Sequence, residues 1–364
     1  MSRTKFKEEK PGKLSAQMAR RICNIKRDAF LKETGMLKEK EYEGDTSNMI
    51  STGSTLLDLA ISGGRVKGGG LPGGILVEIF GPSGSGKTVL LCEIAGSVQR
   101  KQGDIMFHDP EARLNQQFAR LFDLNMEEAS YSKPNTVTEV FQGVRKWEPK
   151  TKAKIHGIFT DSLAALSTNI EMEKEEGDKM GMRRAKELSE ELRKTCRILT
   201  DKNYLMVCSN QVRINVDGGQ YAPKYVTPGG EAVGFYSSLR LRTFKPELIK
   251  SKIKVANKEV TRIIGVTTLI EVFKSSIWKP YRIAPVTILF DYGIDDVREN
   301  LQFVKDYTKN TVYTLNGENL SNSMEEAIHI VEAEGLTRKL KQETIMLWEE
   351  IEKKFKTVRK PKMR

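Results

Sequence analysis

The sequence predicts an α/β fold, a mostly parallel sheet flanked by helices and extended on one side by antiparallel strands. Three observations carry this expectation. Apolar strands and helical segments alternate from Ile75 to Ser209. A glycine-rich loop, Gly81 to Thr88, joins the first strand of that series to its helix. From about residue 237 the alternation gives way to strands in succession, at 237–244, 266–274 and 284–290.

The elements follow in order. Residues 14–33 read as a helix, with Leu14, Met18, Ile22, Ile25 and Phe30 near helical spacing. Segment 36–49 is polar and charged and reads as a linker. GGRVKGGGLPGG, residues 63–74, holds seven glycines and a proline and reads as a loop. Ile75 to Phe80 is an apolar strand, Val89 to Gln99 a helix, Asp104 to His108 a strand and Leu114 to Phe122 a helix. Thr136, with Glu139 three residues on, reads as a capping box that opens a further helix. Ile155 to Thr160 is a strand, 180–201 a long charged helix, and Tyr204 to Ser209 a buried strand. The expected division is an N-terminal helical oligomerisation segment (1–44), a core (45–296) and a small C-terminal α/β unit with a basic tail (297–364). The helices of that last unit are expected at 323–334 and 341–356.

The chain has 364 residues, 38% apolar and 30% charged, the composition of a globular protein. It holds no run of about 18 apolar residues that would span a membrane, and MSRTKFKEEKPGK lacks the apolar stretch of a signal peptide. Both point to the cytoplasm. The cysteines Cys23, Cys92, Cys196 and Cys208 are scattered without CxxC spacing and read as free thiols. Net charge is +12, which suits a polyanion partner as well as a solvated basic surface. Residues 1–30 carry nine Lys/Arg against three acids, and 352–364 carry seven against one.

GPSGSGKT, residues 81–88, fits G-x-x-x-x-G-K-[ST] in full between a strand and a helix. Each position has a physical purpose. Gly81, Gly84 and Gly86, with Pro82, Ser83 and Ser85 between them, let backbone wrap closely around phosphate. The N–H groups of the loop and of the helix start at Lys87, Thr88 and Val89 face the anion. Lys87 adds a full charge near the β and γ phosphates, and the Thr88 hydroxyl ligates Mg²⁺. The expected ligand is therefore a nucleoside triphosphate. IHGIFTDS, residues 155–162, is an apolar strand ending in Asp161, the pattern of a Walker B strand whose carboxylate holds Mg²⁺ through water. Glu111, just past the strand 104–108, is placed to polarise an attacking water. Taken alone it reads as a surface acid.

The Gly81 loop, Glu111, Asp161 and SNQVR (209–213) occur in an order and spacing that resemble the RecA recombinase family. So does STGSTLLDLAISGG (51–64) before the loop. PGGEAVGFYSSLRLR (228–242) and FKSSIWKPYRIAPVTILFDYGID (273–295) resemble two later stretches of the same family. The resemblance implies a RecA-like P-loop NTPase core. It implies a DNA-dependent ATPase, using ATP and Mg²⁺, that forms a helical homo-oligomeric filament on single-stranded DNA and pairs it with homologous double-stranded DNA in recombination and repair. On the same resemblance Glu111 is the catalytic glutamate, and Gln211 senses the γ-phosphate. Phe118 stacks on adenine, Asn115 touches its amino group, and Phe290 and Asp291 lie at the other side of the base. Lys274 reaches ATP on the neighbouring subunit.

The resemblance also implies two DNA-binding loops. The first, about 171–184, offers Met180, Gly181, Arg183 and Arg184. The second, about 213–230, offers Arg213, Lys224, Gly229 and Gly230, with Tyr221 and Tyr225 interleaved. Basic and aromatic groups together suit sequence-blind contact with single strands. Three positions depart from the family pattern: Ser276 stands where a second lysine is usual, Gly234 where a lysine precedes the Phe-Tyr pair, and the C-terminal tail is basic rather than acidic. The first two leave open an accessory RecA-like ATPase, a mediator or regulator that does not exchange strands. A ring helicase shares the same core. The basic tail implies a larger non-specific affinity for DNA.

Overall fold

The computed structural model describes residues 48–63, 69–168, 180–214, 225–229 and 231–355. The expected helix 14–33 and the tail beyond 355 lie outside these residues. In chain order the early elements are β1 (Met49–Ile50), α1 (Thr55–Ser62), β2 (Leu71–Pro72), β3 (Ile75–Gly81), α2 (Lys87–Arg100), β4 (Ile105–His108), α3 (Gln116–Arg120) and β5 (Ser130–Ser132). Next come α4 (Val137–Lys146), β6 (His156–Thr160), α5 (Met180–Asp201), β7 (Tyr204–Gln211), β8 (Arg213–Ile214), β9 (Tyr225–Val226), α6 (Glu231–Tyr236), β10 (Leu239–Thr243), β11 (Glu247–Val255) and β12 (Lys258–Ser275). The chain continues through β13 (Ile283–Leu289), β14 (Gly293–Ile294), α7 (Asp296–Thr308), β15 (Tyr313–Leu315), β16 (Glu318–Ser321), α8 (Met324–Ala333) and α9 (Thr337–Lys354).

Ten strands make one mixed sheet in the order β14-β13-β12-β10-β3-β7-β6-β4-β5, with β11 paired to β12. From β10 to β5 every pairing is parallel; β12, β13, β14 and β11 pair antiparallel. The strand expected at 237–244 therefore belongs to the parallel half, and the antiparallel extension starts one strand later. Parallel strands are covered on both faces, which is why β3, β6 and β7 are apolar and buried almost throughout. One cluster, with Ile79, Leu91, Ile94, Phe107 and Phe159, packs on the α2 side, and another, with Phe141, Leu188, Leu192 and Met206, on the α4 and α5 side.

Local chemistry sets the helix starts. Thr136 caps α4 by accepting from Glu139 N at 3.3 Å, while the Glu139 carboxylate accepts from Asn135 N at 2.8 Å. The capping box thus closes one residue earlier than the simplest form. The helix expected at 114–122 shrinks to Gln116–Arg120, since Asn115 sits extended as its cap and the chain turns after Leu121. The hairpin β11–β12 was not expected and projects from the sheet through a turn with positive φ at Ala256 (46°) and Asn257 (64°).

The C-terminal unit packs α7, α8, α9 and the β15–β16 hairpin around Leu301, Val304, Tyr313, Val331 and Leu340. Asp296 grips α1 by accepting from Thr55 N at 2.6 Å and Thr55 Oγ1 at 2.7 Å. Arg282 Nη2 donates to both Glu352 oxygens at 2.7 Å, and Trp278 packs on Trp348 with ring centroids 5.5 Å apart.

Candidate nucleotide site

The C-terminal ends of β3, β4, β6 and β7 lie side by side, where parallel sheets present their ligand crevice. β3 runs into the loop 81–86, and Gly86 caps α2 with φ 83°, a left-handed conformation that glycine adopts without strain. Ser85 is buried rather than facing solvent. Its hydroxyl donates to the Pro82 carbonyl at 2.8 Å and shares a 2.7 Å hydrogen bond with Thr243 of β10, so the loop is braced from below. Ser83 and Gly84 are exposed.

Lys87 Nζ folds over the loop, donating to Pro82 O at 2.7 Å and Gly81 O at 3.2 Å. Burial lowers its pKa, and the nearby Asp161 and Glu111 oppose that shift. Thr88 Oγ1 donates to Asp161 Oδ2 at 2.6 Å, and Ser209 on β7 donates to the other oxygen. Burial pushes the Asp161 carboxyl up, with the two hydroxyl donors holding it back. Hydroxyl and carboxylate oxygens are the donors Mg²⁺ takes, so Thr88 and Asp161 are the groups that would hold it. Glu111 accepts from Ser162 Oγ at 3.0 Å and pairs with Arg113 at 2.7 Å, which sets it beside Asp161. Gln211 ends β7 directly opposite Gly81 and is exposed.

The adenine-side residues are less tightly gathered. Asn115 Oδ1 accepts from Phe118 N at 2.8 Å, so its carbonyl serves α3. Phe118 is half-buried against Phe122, and Val89 is half-buried behind the loop. Phe290 and Asp291 are exposed in the turn after β13. Within this chain Lys274 Nζ donates to Gly234 O at 2.8 Å and Phe235 O at 3.0 Å, carbonyls in the last turn of α6.

With this geometry in view, the RecA N-terminal domain family model matches residues 17–295. The chain belongs to the RecA family. It is 34% identical to the protein RecA of Anaplasma marginale (strain Florida) over 72% of this chain and 69% of that one. With the protein RecA of Thermus thermophilus it shares 35% over 69% of this chain and 70% of the relative. Among solved structures, the RadB recombinase aligns at TM-score 0.47 and 20% identity over 68% of this chain and 98% of the other.

Of the two loops that the RecA resemblance implied, only the ends fall within the described residues. Met180, Gly181, Arg183 and Arg184 open helix α5, which has the bounds of the helix expected at 180–201, and Arg184 Nη1 donates to Ala164 O at 3.3 Å. The rest of that segment, 169–179, is outside the described residues. Arg213 is exposed in β8, which pairs with β9 as the stem of the second segment. Lys224 and Gly230 lie outside the described residues. Gly229 is buried with φ 94°, and a Cβ there would stand 2.6 Å from Leu188 Cδ1, so it serves close packing on α5. Lys279, the basic residue near Ser276, is held by Glu352 of α9 at 3.3 Å.

Sequence reasoning missed Ser209 and Thr243 as parts of the site's frame, and the Glu78–Asn210 pair set away from it in the sheet. Glu78 carried a legible signal, a single acid in the apolar run ILVEIFG.

Proposed function

We propose that this RecA-family chain is a DNA-dependent ATPase and homologous recombinase. It would assemble as a helical filament on single-stranded DNA and exchange strands with a homologous duplex in the cytoplasm. One observation supports this reading above the rest: Lys87, Thr88, Asp161, Glu111 and Gln211 meet at the ends of adjacent parallel strands. In that arrangement the loop 81–88 cradles the triphosphate and Lys87 leaves its carbonyl partners for phosphate oxygens. Thr88 and Asp161 would hold Mg²⁺, whose role when bound is to neutralise charge on the phosphates. Glu111 accepts a proton from the attacking water, and Gln211 faces the γ-phosphate end of the crevice. Arg213 and the start of α5 supply basic groups to the DNA. No helix of the described residues is long and apolar enough to cross a membrane.

A second reading, an accessory ATPase without strand exchange, draws support from the engagement of Lys279 by Glu352. With Ser276 at the position of the family's second lysine, that contact also ties up the nearby Lys279. A strand-exchange assay with homologous duplex separates the two.

The test of the main reading is ATP hydrolysis with and without single-stranded DNA. Strong stimulation by DNA is expected. Hydrolysis indifferent to DNA would shift the function to a nucleotide switch of another kind.

A further inference from the structure

A carboxylate at the centre of a parallel sheet is costly unless it is paired and hydrogen-bonded. Glu78, three residues before the phosphate loop, is fully buried in β3. Two neighbours satisfy it from opposite sides. Arg240 on β10 donates through Nε to Oε2 at 2.6 Å, and Asn210 on β7 donates through Nδ2 to Oε1 at 2.9 Å. The three residues therefore lock three adjacent strands together at one level. The Arg240 guanidinium is held further over the Phe80 ring, 4.5 Å from its centroid.

Asn210 carries the network beyond the sheet. The same amide nitrogen donates to Pro228 O at 3.0 Å, and the side-chain carbonyl accepts from Gln211 N at 3.0 Å. Pro228 lies two residues past the β8–β9 stem and just ahead of α6. One fully engaged side chain thus ties the backbone of Gln211, the strand that leads into the phosphate loop, and the exit of the segment that carries Arg213. A displacement of Pro228 against β3 must break one of these hydrogen bonds.

We propose that Asn210, with Glu78 and Arg240, is a positioning residue that couples the Pro228 end of the second DNA segment to the phosphate loop. The proposal rests on the DNA-dependent ATPase reading above. The coupling runs through β3 and β10 and is separate from any contact that the Gln211 side chain makes with phosphate.

The experiment compares the full chain with Asn210→Ala and the milder Asn210→Ser. It measures ATP hydrolysis with and without an oligo-dT strand, binding of a fluorescent ATP analogue, and thermal unfolding. Asn210→Ala leaves Glu78 paired with Arg240, so no buried charge is stranded. The expected result is DNA-free hydrolysis and nucleotide affinity within about twofold of wild type, with the stimulation by DNA reduced about tenfold. Asn210→Ser, one atom too short to span both acceptors, should show a smaller loss of the same kind. Stimulation equal to wild type in either folded variant overturns the proposal. So does an equal loss of basal and stimulated rates, which would mark a purely structural role. If Asn210→Ala does not fold, Asn210→Ser carries the decision alone. A wild-type protein that DNA fails to stimulate overturns the functional reading, and the coupling proposal with it.

Discussion

In the parallel half of the sheet, β3, β6 and β7 are covered on both faces, whereas β11 and the outer part of β12 keep most of their side chains in solvent. The first region holds nearly every group of the nucleotide site. The second alternates Lys250, Lys252 and Lys254 with Ile249, Ser251 and Ile253, and its tip reaches beyond the core. The difference is one of constraint. A strand buried on both faces cannot shift without moving two layers of side chains, so the start of the loop at its end is firmly anchored. A projecting two-stranded ribbon has only its ladder and its cross-strand pairs. The chemistry therefore sits where the packing is tightest, and the ribbon is free to vary.

That contrast can be tested in order of expected size. Lys87→Ala should reduce ATP hydrolysis about a hundredfold or more, because it removes a preorganised charge at the site of transfer. Lys274→Ala, on the antiparallel side, should leave nucleotide binding by the DNA-free protein unchanged, since Lys274 bonds to α6 carbonyls there. A fluorescent nucleotide titration of both variants measures the difference. An equal loss of binding in the two would break the comparison.

Core truncation comes next. Phe159 is fully buried and stacked on Phe107 at 6.0 Å, so Phe159→Ala should cost about 3–5 kcal/mol in urea unfolding. Ile253 is 62% exposed on the ribbon, and Ile253→Ala should change stability by no more than about 0.5 kcal/mol.

The third effect is smaller and depends on pH. Burial raises the Glu93 carboxyl on α2 to about 7 from an ordinary value of 4.5, against the opposing pull of Arg100. The folded state then holds its proton more tightly than the unfolded chain does. Stability from this group is full below pH 4.5 and falls as pH rises to about 7. Glu93→Gln removes the titration. It should gain about 1–2 kcal/mol on wild type at pH 8 and almost nothing at pH 4, by urea midpoints at the two pH values. Glu259→Gln on the ribbon, where the Glu259–Lys252 pair is exposed, should stay within about 0.5 kcal/mol at both. A gain at pH 8 as large as that of Glu93→Gln would blur the contrast between the regions.

The two regions also differ in how far the residues alone reveal them. Strand β3, the loop 81–88, β6 with Asp161, and α5 are legible because each has a single strong local signal: an apolar run, constrained glycines, a helical period. The ribbon was overlooked because ELIKSKIKV alternates charge with apolar residues on a surface exposed on both sides. Its turn, Ala256–Asn257, also lacks the Asn-Gly pair that usually marks such a hairpin. The first turn of α5 carries two readings, the end of the 171–184 loop that the resemblance implies and the start of the helix expected at 180–201, and the chain is helical there.

By itself, then, the sequence determined the fold class, the strands β3, β4, β6 and β7 that carry the site, the phosphate loop and the acids that follow it. Those depend on contacts between residues close in sequence, or on burial patterns that each strand carries alone. Tertiary structure decided the partners: that Asn210 and Arg240 meet on Glu78, that Thr243 braces Ser85, that Lys274 turns to α6, and that Glu352 claims Lys279. These pairs are separated by some 40 to 162 residues. No local propensity encodes them; they exist only because strands and helices distant in sequence are brought side by side by the fold.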